Sequence, residues 1–255
     1  MRRVIICMLI LLLAFGCASQ FKQQRELSRP LVAIAMSKIQ QNDIQGALIE
    51  LRKATMANPS DPEVYYTLAL AYWKSGNYDK ANENINKAIS YGDNLGFEHP
   101  GLKSEAYNLK GTILFGEGKN DQAIAAFKMA LQDELYQTPE YSYHNLATVY
   151  LEMKNLPLAF ENAQKALDYN SHYAPAWVLM SKVFTQQGRI KDAIEALRHA
   201  VIEFPGYTEA HWELALLYIQ TGNVQQAKEH LVQVVQLDPK GFLGPLAVEK
   251  LRELK

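Results

Sequence analysis

The chain has 255 residues, 48% of them hydrophobic, with 26 lysines plus arginines against 27 aspartates plus glutamates and a formal net charge of −1. No basic stripe interrupts that balance, so nucleic acid is not an expected partner. Two cysteines, Cys7 and Cys17, are too few for a disulfide framework or a cysteine-built metal site once the leader described next is removed.

The chain opens Met1-Arg2-Arg3 and continues almost wholly apolar from Val4 to Phe15. A basic start, an apolar run of about a dozen and a small residue are the parts of a secretory signal peptide, and the run falls short of the ~20 residues a membrane-spanning helix needs. Residues 1–16 are therefore expected to be cleaved. The sequence Leu13-Ala14-Phe15-Gly16-Cys17 resembles the lipobox of bacterial lipoproteins, with Ala14 where leucine is usual. The resemblance implies that Cys17 is lipidated and becomes the first mature residue. Several acyl chains there would give stable membrane attachment where one would not. Ala18 rather than aspartate after the cysteine implies an outer-membrane address, on the periplasmic face. Without Arg2 and Arg3 the mature count is 24 basic against 27 acidic residues, a net of −3. Residues 17–27 read as the lipidated end and a polar tether, since Ala18 to about Arg29 shows no helical stripe.

From residue 28 the chain repeats. Ala47, Ala81, Ala123, Ala159, Ala193 and Ala227 are separated by 34, 42, 36, 34 and 34 residues. A helical pattern with a 34-residue period signals a stacked array of helix pairs. With the landmark alanine at position 20, units begin near Ser28, Pro62, Ser104, Glu140, Ala174 and Thr208. Position 4 is Leu31, Tyr65, Tyr107, Tyr143, Trp177 and His211; position 24 is Leu51, Ile85, Phe127, Ala163, Leu197 and Leu231. Position 27 is alanine five times and then Val234. Small residues at 20 and 27 let two helices approach, and bulky ones at 4, 11 and 24 fill the space between them. Gly76, Gly118, Gly188 and Gly222 fall just past the first helix of a pair, where left-handed backbone is wanted. Pro59, Pro205 and Pro239 follow the second helix, where a missing N–H does no harm.

The period breaks twice. Eight extra residues lie in 92–101, whose three glycines and proline predict a loop, and two lie near Tyr136–Pro139. Such insertions often mark a binding edge. The apolar spacing of residues 242–255 predicts an amphipathic helix that caps the array.

Chemistry has no visible seat. Gly-x-Ser-x-Gly, Gly-x4-Gly-Lys-Ser/Thr and His-Glu-x-x-His are all missing from the sequence, and Gly116-Glu117-Gly118-Lys119 is explained by its place at a repeat turn. No two of the six histidines have i, i+4 spacing. The chain is expected to be no enzyme, with no cofactor, no metal and no small-molecule substrate.

The repeat pattern resembles the tetratricopeptide repeat. The resemblance implies an all-α, right-handed solenoid of six repeats over 28–241 with a C-terminal capping helix. It also implies a concave groove lined by the first helix of each pair, at positions 2, 5, 9 and 12. Those positions give Tyr66, Leu70 and Trp73 in the second repeat, Asn108 and Phe115 in the third, and Tyr141, His144 and Leu151 in the fourth. Val178 in the fifth, and Trp212 and Leu216 in the sixth, complete the set. This surface reads as aromatic and apolar, with Trp73 and Trp212 exposed and Lys182 nearly alone, which suits an apolar segment better than a carboxylate clamp. A lipid-anchored array of six such repeats is similar to the pilotin family, the type IV pilus biogenesis and stability lipoproteins. Leu135-Tyr136-Gln137-Thr138-Pro139-Glu140 leads into His144-Asn145-Leu146-Ala147 as a comparable turn and helix do there, with Ala147 where glycine is commoner. That resemblance implies a secretin subunit as the protein partner. The alternative is a lipoprotein scaffold of the same fold in another envelope process, such as polysaccharide export.

Overall fold

The computed structural model describes residues 23–95 and 101–254; the expected leader, Cys17 and residues 96–100 of the insertion lie outside them. Among the described residues every regular element is an α-helix, and none is long and apolar enough to cross a membrane. The chain divides into two compact units, Met1–Gln137 and Thr138–Lys255.

The first unit holds α1 (23–40), α2 (Ile44–Ala57), α3 (Pro62–Lys74), α4 (Tyr78–Leu95), α5 (Leu102–Gly116) and α6 (Asn120–Ala130). The second holds α7 (Pro139–Glu152), α8 (Leu156–Tyr169), α9 (Ala174–Gln186), α10 (Ile190–Glu203), α11 (Thr208–Gln220), α12 (Val224–Leu237) and α13 (Leu243–Glu253). Consecutive helices pair as the period requires. All six landmark alanines are 0% exposed, as are Ala54, Ala88, Ala130, Ala166, Ala200 and Val234. The turn between the paired helices is left-handed in every repeat: Gly76, Gly118, Gly188 and Gly222 have φ of 75, 75, 74 and 79°. At the same place, Asn42 and Lys154 have φ of 62 and 58° without being glycine.

Two packing devices go beyond the period. The first is a third small position, eight residues into each repeat: Ala35, Ala69, Gly111, Ala147, Ser181 and Ala215, all buried. In the third repeat this slot receives the ring of Phe127, which is 1% exposed; a Cβ on Gly111 would lie 2.5 Å from the ring. In the fourth repeat the same two places are Ala147 and Ala163, so the pair trades volume across the helix interface. The second device is a latch. Tyr65 donates its hydroxyl to the Pro59 carbonyl at 2.9 Å, and Trp177 its indole N–H to Ser171 at 3.0 Å. His211 donates Nε2–H to Pro205 at 2.9 Å. In each case position 4 bonds the carbonyl at position 32 of the preceding repeat, so the bulky residue there carries a polar tip for a reason. His211 Nε2 can only donate to a carbonyl, and its Nδ1 lies 2.9 Å from His230 Nδ1, where one of the two nitrogens donates and the other accepts. That histidine pair spans two helices and is invisible to an i, i+4 search. Among the described residues no group of three or more His, Cys, Asp or Glu is placed to hold a metal ion.

Three expectations need correction. Helix α1 starts at residue 23, inside the stretch read as tether. Polar contacts fix its first turns: Arg25 Nη2 lies 3.2 Å from Glu63 Oε1, and the Ser28 hydroxyl donates to Asp61 at 2.5 Å, with both Ser28 and Asp61 buried; the apolar stripe of Leu31, Ala35 and Ile39 takes over only further along. Helix α4 runs to Leu95, so the expected loop begins later than Gly92. An Asp93–Lys103 ion pair at 2.5 Å bridges the insertion. Beyond it Gly101, buried at φ 85°, faces the Leu135 carbonyl, so the insertion's end packs onto the Leu135-Tyr136 turn. The third is Trp212, which is half-buried: it packs on a cluster of Ala215, Leu231, Val234 and Ala247 that α13 completes with Leu243, Leu251 and Leu254. Trp212 thus packs at the edge of the cluster that the capping helix completes, and like Trp73 it keeps part of its side chain exposed.

Candidate functional site

In Thr138–Lys255 the first helices of three consecutive repeats, α7, α9 and α11, border a cavity of about 370 Å³. Helix α7 supplies His144, Thr148, Leu151 and Glu152; α9 supplies Pro175, Val178, Leu179 and Lys182; Tyr207 and Glu209 come from the start of α11. The spacing of four between 144, 148 and 152 puts those side chains on one helix face. Val178 and Leu151 are 3% and 9% exposed and form an apolar floor. The rim is polar: Lys182 Nζ lies 2.6 Å from Glu209 Oε1, and the Tyr207 hydroxyl donates to Glu209 Oε2 at 3.4 Å. Burial, helped by the Glu209 charge, pushes the Tyr207 phenol up to about 12, so it stays a donor at neutral pH. On the far wall Tyr141 and His144 both set edges against the Tyr173 ring, at centroid distances of 5.3 and 5.5 Å.

Three of the expected groove residues, His144, Leu151 and Val178, thus meet at one cavity, and Tyr141 joins them through Tyr173. In Met1–Gln137, Tyr66, Leu70 and Trp73 are half-buried against a cluster that includes Ala69, Ile85, Leu109 and Ile113. Asn108, Phe115 and Leu216 are half-buried too. These residues present parts of side chains rather than open aromatic faces. The uncharged, apolar character expected of the groove holds for the floor alone, and that floor is aliphatic, not aromatic. Glu209 stands at position 2, one of the positions used to define the groove, while Glu152 and Tyr207 fall at positions 13 and 34, outside that definition. A second cavity, about 500 Å³, lies on α2 and α3 and is lined by Leu48, Ile49, Arg52, Met56, Leu68 and Tyr72 among others. Most of it belongs to a second helix of a pair, where a concave-groove search does not look.

The chemistry this arrangement supports is recognition. Lys182 is paired with Glu209 and is not available as a lone clamp for a carboxylate. Burial holds His144 below its usual range, and the neighbouring Lys182 acts in the same direction, so the cavity carries a neutral imidazole. His230 is lowered likewise, first by burial and then by His211. A histidine whose folded pKa is depressed takes up its proton more readily in the unfolded chain. Stability is therefore full above the unfolded value of about 6.5 and is lost as pH falls below it, toward the folded values. Urea midpoints at pH 7.5 and 5.5 should differ in that direction, and the difference should shrink in a His144→Gln/His230→Gln variant. Glu213, whose pKa burial raises, acts with the opposite sign in both proteins and cancels in the comparison. An unchanged difference in the double variant would refute the histidine account.

Helix pairs in tandem around a concave, polar-rimmed cavity define a helical-repeat binding protein. Profiles described as tetratricopeptide repeat match residues 66–139, 144–208 and 184–241, and one described as TPR repeat matches residues 37–76. The chain belongs to the tetratricopeptide repeat family. The BBSome complex member BBS4 of Bos taurus is 32% identical over 140 residues, 55% of this chain and 26% of that protein. The type IV pilus assembly protein PilF of Pseudomonas aeruginosa is 24% identical over 149 residues, 58% of this chain and 56% of PilF. The chain therefore spans about a quarter and about half the length of these two relatives. In three dimensions it is similar to the P. aeruginosa PilF structure, with TM-score 0.71, 19% identity, and coverage of 91% of this chain and 99% of PilF. PilW, described as a widely conserved type IV pilus biogenesis factor, gives 0.72, 20%, 87% and 98%. At these identities the likeness is one of fold.

Proposed function

We propose that this chain is a pilotin of type IV pilus biogenesis: an outer-membrane lipoprotein, anchored through Cys17, that holds a segment of a secretin subunit against its repeat helices. The observation that carries the reading is the end-to-end likeness to PilF and PilW, each matched over nearly its whole length and over most of this chain. Support comes also from the lipobox-like Leu13–Cys17 and from a cavity on the helices that such arrays use for partners. The mechanism is physical. A lipid anchor and a bound subunit on one protein raise the local concentration of subunits at the membrane, which favours ring assembly.

The test is genetic and biochemical. Cells lacking the protein should lose heat-resistant secretin multimers, and Cys17→Ser should move the protein out of the outer-membrane fraction and reduce multimer yield. Normal multimers in the deletion strain would reject the pilotin role. Fatty-acid labelling that persists in Cys17→Ser would reject the anchor.

A further inference from the structure

The polar rim of the cavity in Thr138–Lys255 is unbalanced. Glu152 and Glu209 line it, Glu213 follows Glu209 by one turn on α11, and the only lining cation is Lys182. Residues four apart share a helix face, so Glu213 lies on the side that carries Glu209. Glu209 is satisfied: it receives Lys182 at 2.6 Å and the Tyr207 hydroxyl at 3.4 Å. Glu213 is not. It is half-buried, and among the described residues it makes no hydrogen bond or ion pair, although it feels the charges of both Lys182 and Glu209. A carboxylate that has given up part of its water without gaining a donor is destabilised. Burial pushes its pKa up, as that imbalance requires. The far wall offers no relief, because His144 is held neutral. What the site lacks is a second cation, next to an apolar floor of Leu151, Val178 and Leu179.

We infer that this cavity takes a partner segment in which one lysine or arginine stands beside apolar side chains, the apolar ones covering Val178 and Leu179 and the cation pairing with Glu213. The inference rests on the groove reading above and narrows it to a charge class. A C-terminal carboxylate or an acidic segment would meet Glu152 and Glu209 at the rim and Glu213 one turn beyond, against one lysine already engaged. Like charges brought together at an interface suppress the wrong partner, and complementary ones fix register.

A random 12-residue peptide library displayed on phage, selected on the immobilised full chain, tests this directly. Three selections run in parallel: on the wild type, on Glu213→Gln, and on Thr148→Tyr, which fills the cavity from α7. Wild-type binders should share a basic residue flanked by apolar ones. The enrichment should vanish on Glu213→Gln, and Thr148→Tyr should lose the binders altogether. A synthetic copy of a selected peptide should bind about tenfold more weakly when its basic residue becomes norleucine, with no such loss on Glu213→Gln. Basic residues equally enriched on Glu213→Gln, or a preference for acidic peptides, would overturn the charge assignment while leaving the groove in place. Binders that survive Thr148→Tyr would sit elsewhere and overturn both.

Discussion

Phe127→Ala is expected to lower the free energy of unfolding by about 3–5 kcal/mol, the usual range for emptying a fully buried phenylalanine site. The ring is 1% exposed and fills the slot that Gly111 leaves open on the facing helix. The reciprocal change has a smaller and signed effect. Gly111→Ala gains ~1 kcal/mol of helix propensity, but its Cβ would stand 2.5 Å from Phe127 Cδ1 and Cε1, in a core with nowhere to move. Overpacking of that kind costs about 1–3 kcal/mol, so the net should be destabilising. The two changes share one volume and should not add: Gly111→Ala combined with Phe127→Leu should recover part of the loss of either alone. Urea titration followed by helical circular dichroism reads the wild type, Phe127→Ala, the two single changes of this pair and their combination. Repeat arrays can unfold in parts, so the quantity to compare is the midpoint of the earliest transition. A Phe127→Ala protein with the wild-type midpoint would sink this account of the third repeat.

The same two residues show what periodicity conveys and what it does not. Position 24 is legible as a bulky filler because five of the six side chains there are large and all stand at a fixed offset from a fully buried alanine. The slot that receives it is eight residues into the repeat. Alanine, glycine and serine there look like ordinary helix residues until the facing ring is seen. Position 4 has a related history. Tyr65, Trp177 and His211 read as volume, and they are volume, but each also delivers a donor to a carbonyl six residues earlier. Three different side chains share one hydrogen bond and no common shape, so a search by size passes over what they share. The start of α1 fails for the opposite reason. Its anchors, Arg25 and Ser28, act through Glu63 and Asp61, more than thirty residues away in sequence, and leave no local trace.

The cavity was half legible. Counting every third or fourth residue on the first helices finds His144, Leu151 and Val178, because a helix face is a property of spacing. It does not foresee that Trp212 also packs on the cluster that α13 completes. It also underweights charge. Glu152, Tyr207 and Glu209 enter the rim from a helix end and from the junction between repeats, so the surface is apolar at its floor and acidic at its edge. For this reason Trp212→Ala is a poor probe of partner binding: it would disturb the C-terminal cluster first.

Thr148→Tyr is the cleaner probe and carries the largest functional effect expected here. Thr148 lines the cavity, and its hydroxyl donates within its own helix to the His144 carbonyl at 2.9 Å, so replacing it sacrifices no hydrogen bond between helices. A tyrosine at that place would occupy space that the partner's apolar side chains need. Blocking a pocket that holds an interface anchor typically removes ~2 kcal/mol or more of binding energy, about thirtyfold in affinity. Thr112 supplies the control. It is the equivalent residue one repeat earlier, on α5 of the other unit, with the same bond to its own helix, from its hydroxyl to the Asn108 carbonyl at 3.0 Å. On the pilotin role proposed above, Thr148→Tyr should weaken binding of a secretin subunit in biolayer interferometry by about that factor and reduce multimer yield in cells, whereas Thr112→Tyr should leave both near wild type. Both proteins should keep their helicity and fractionate as the wild type does. The reverse pattern, with Thr112→Tyr defective and Thr148→Tyr intact, would move the binding surface from Thr138–Lys255 to the half-buried aromatic face of Met1–Gln137, where Tyr66 and Trp73 lie.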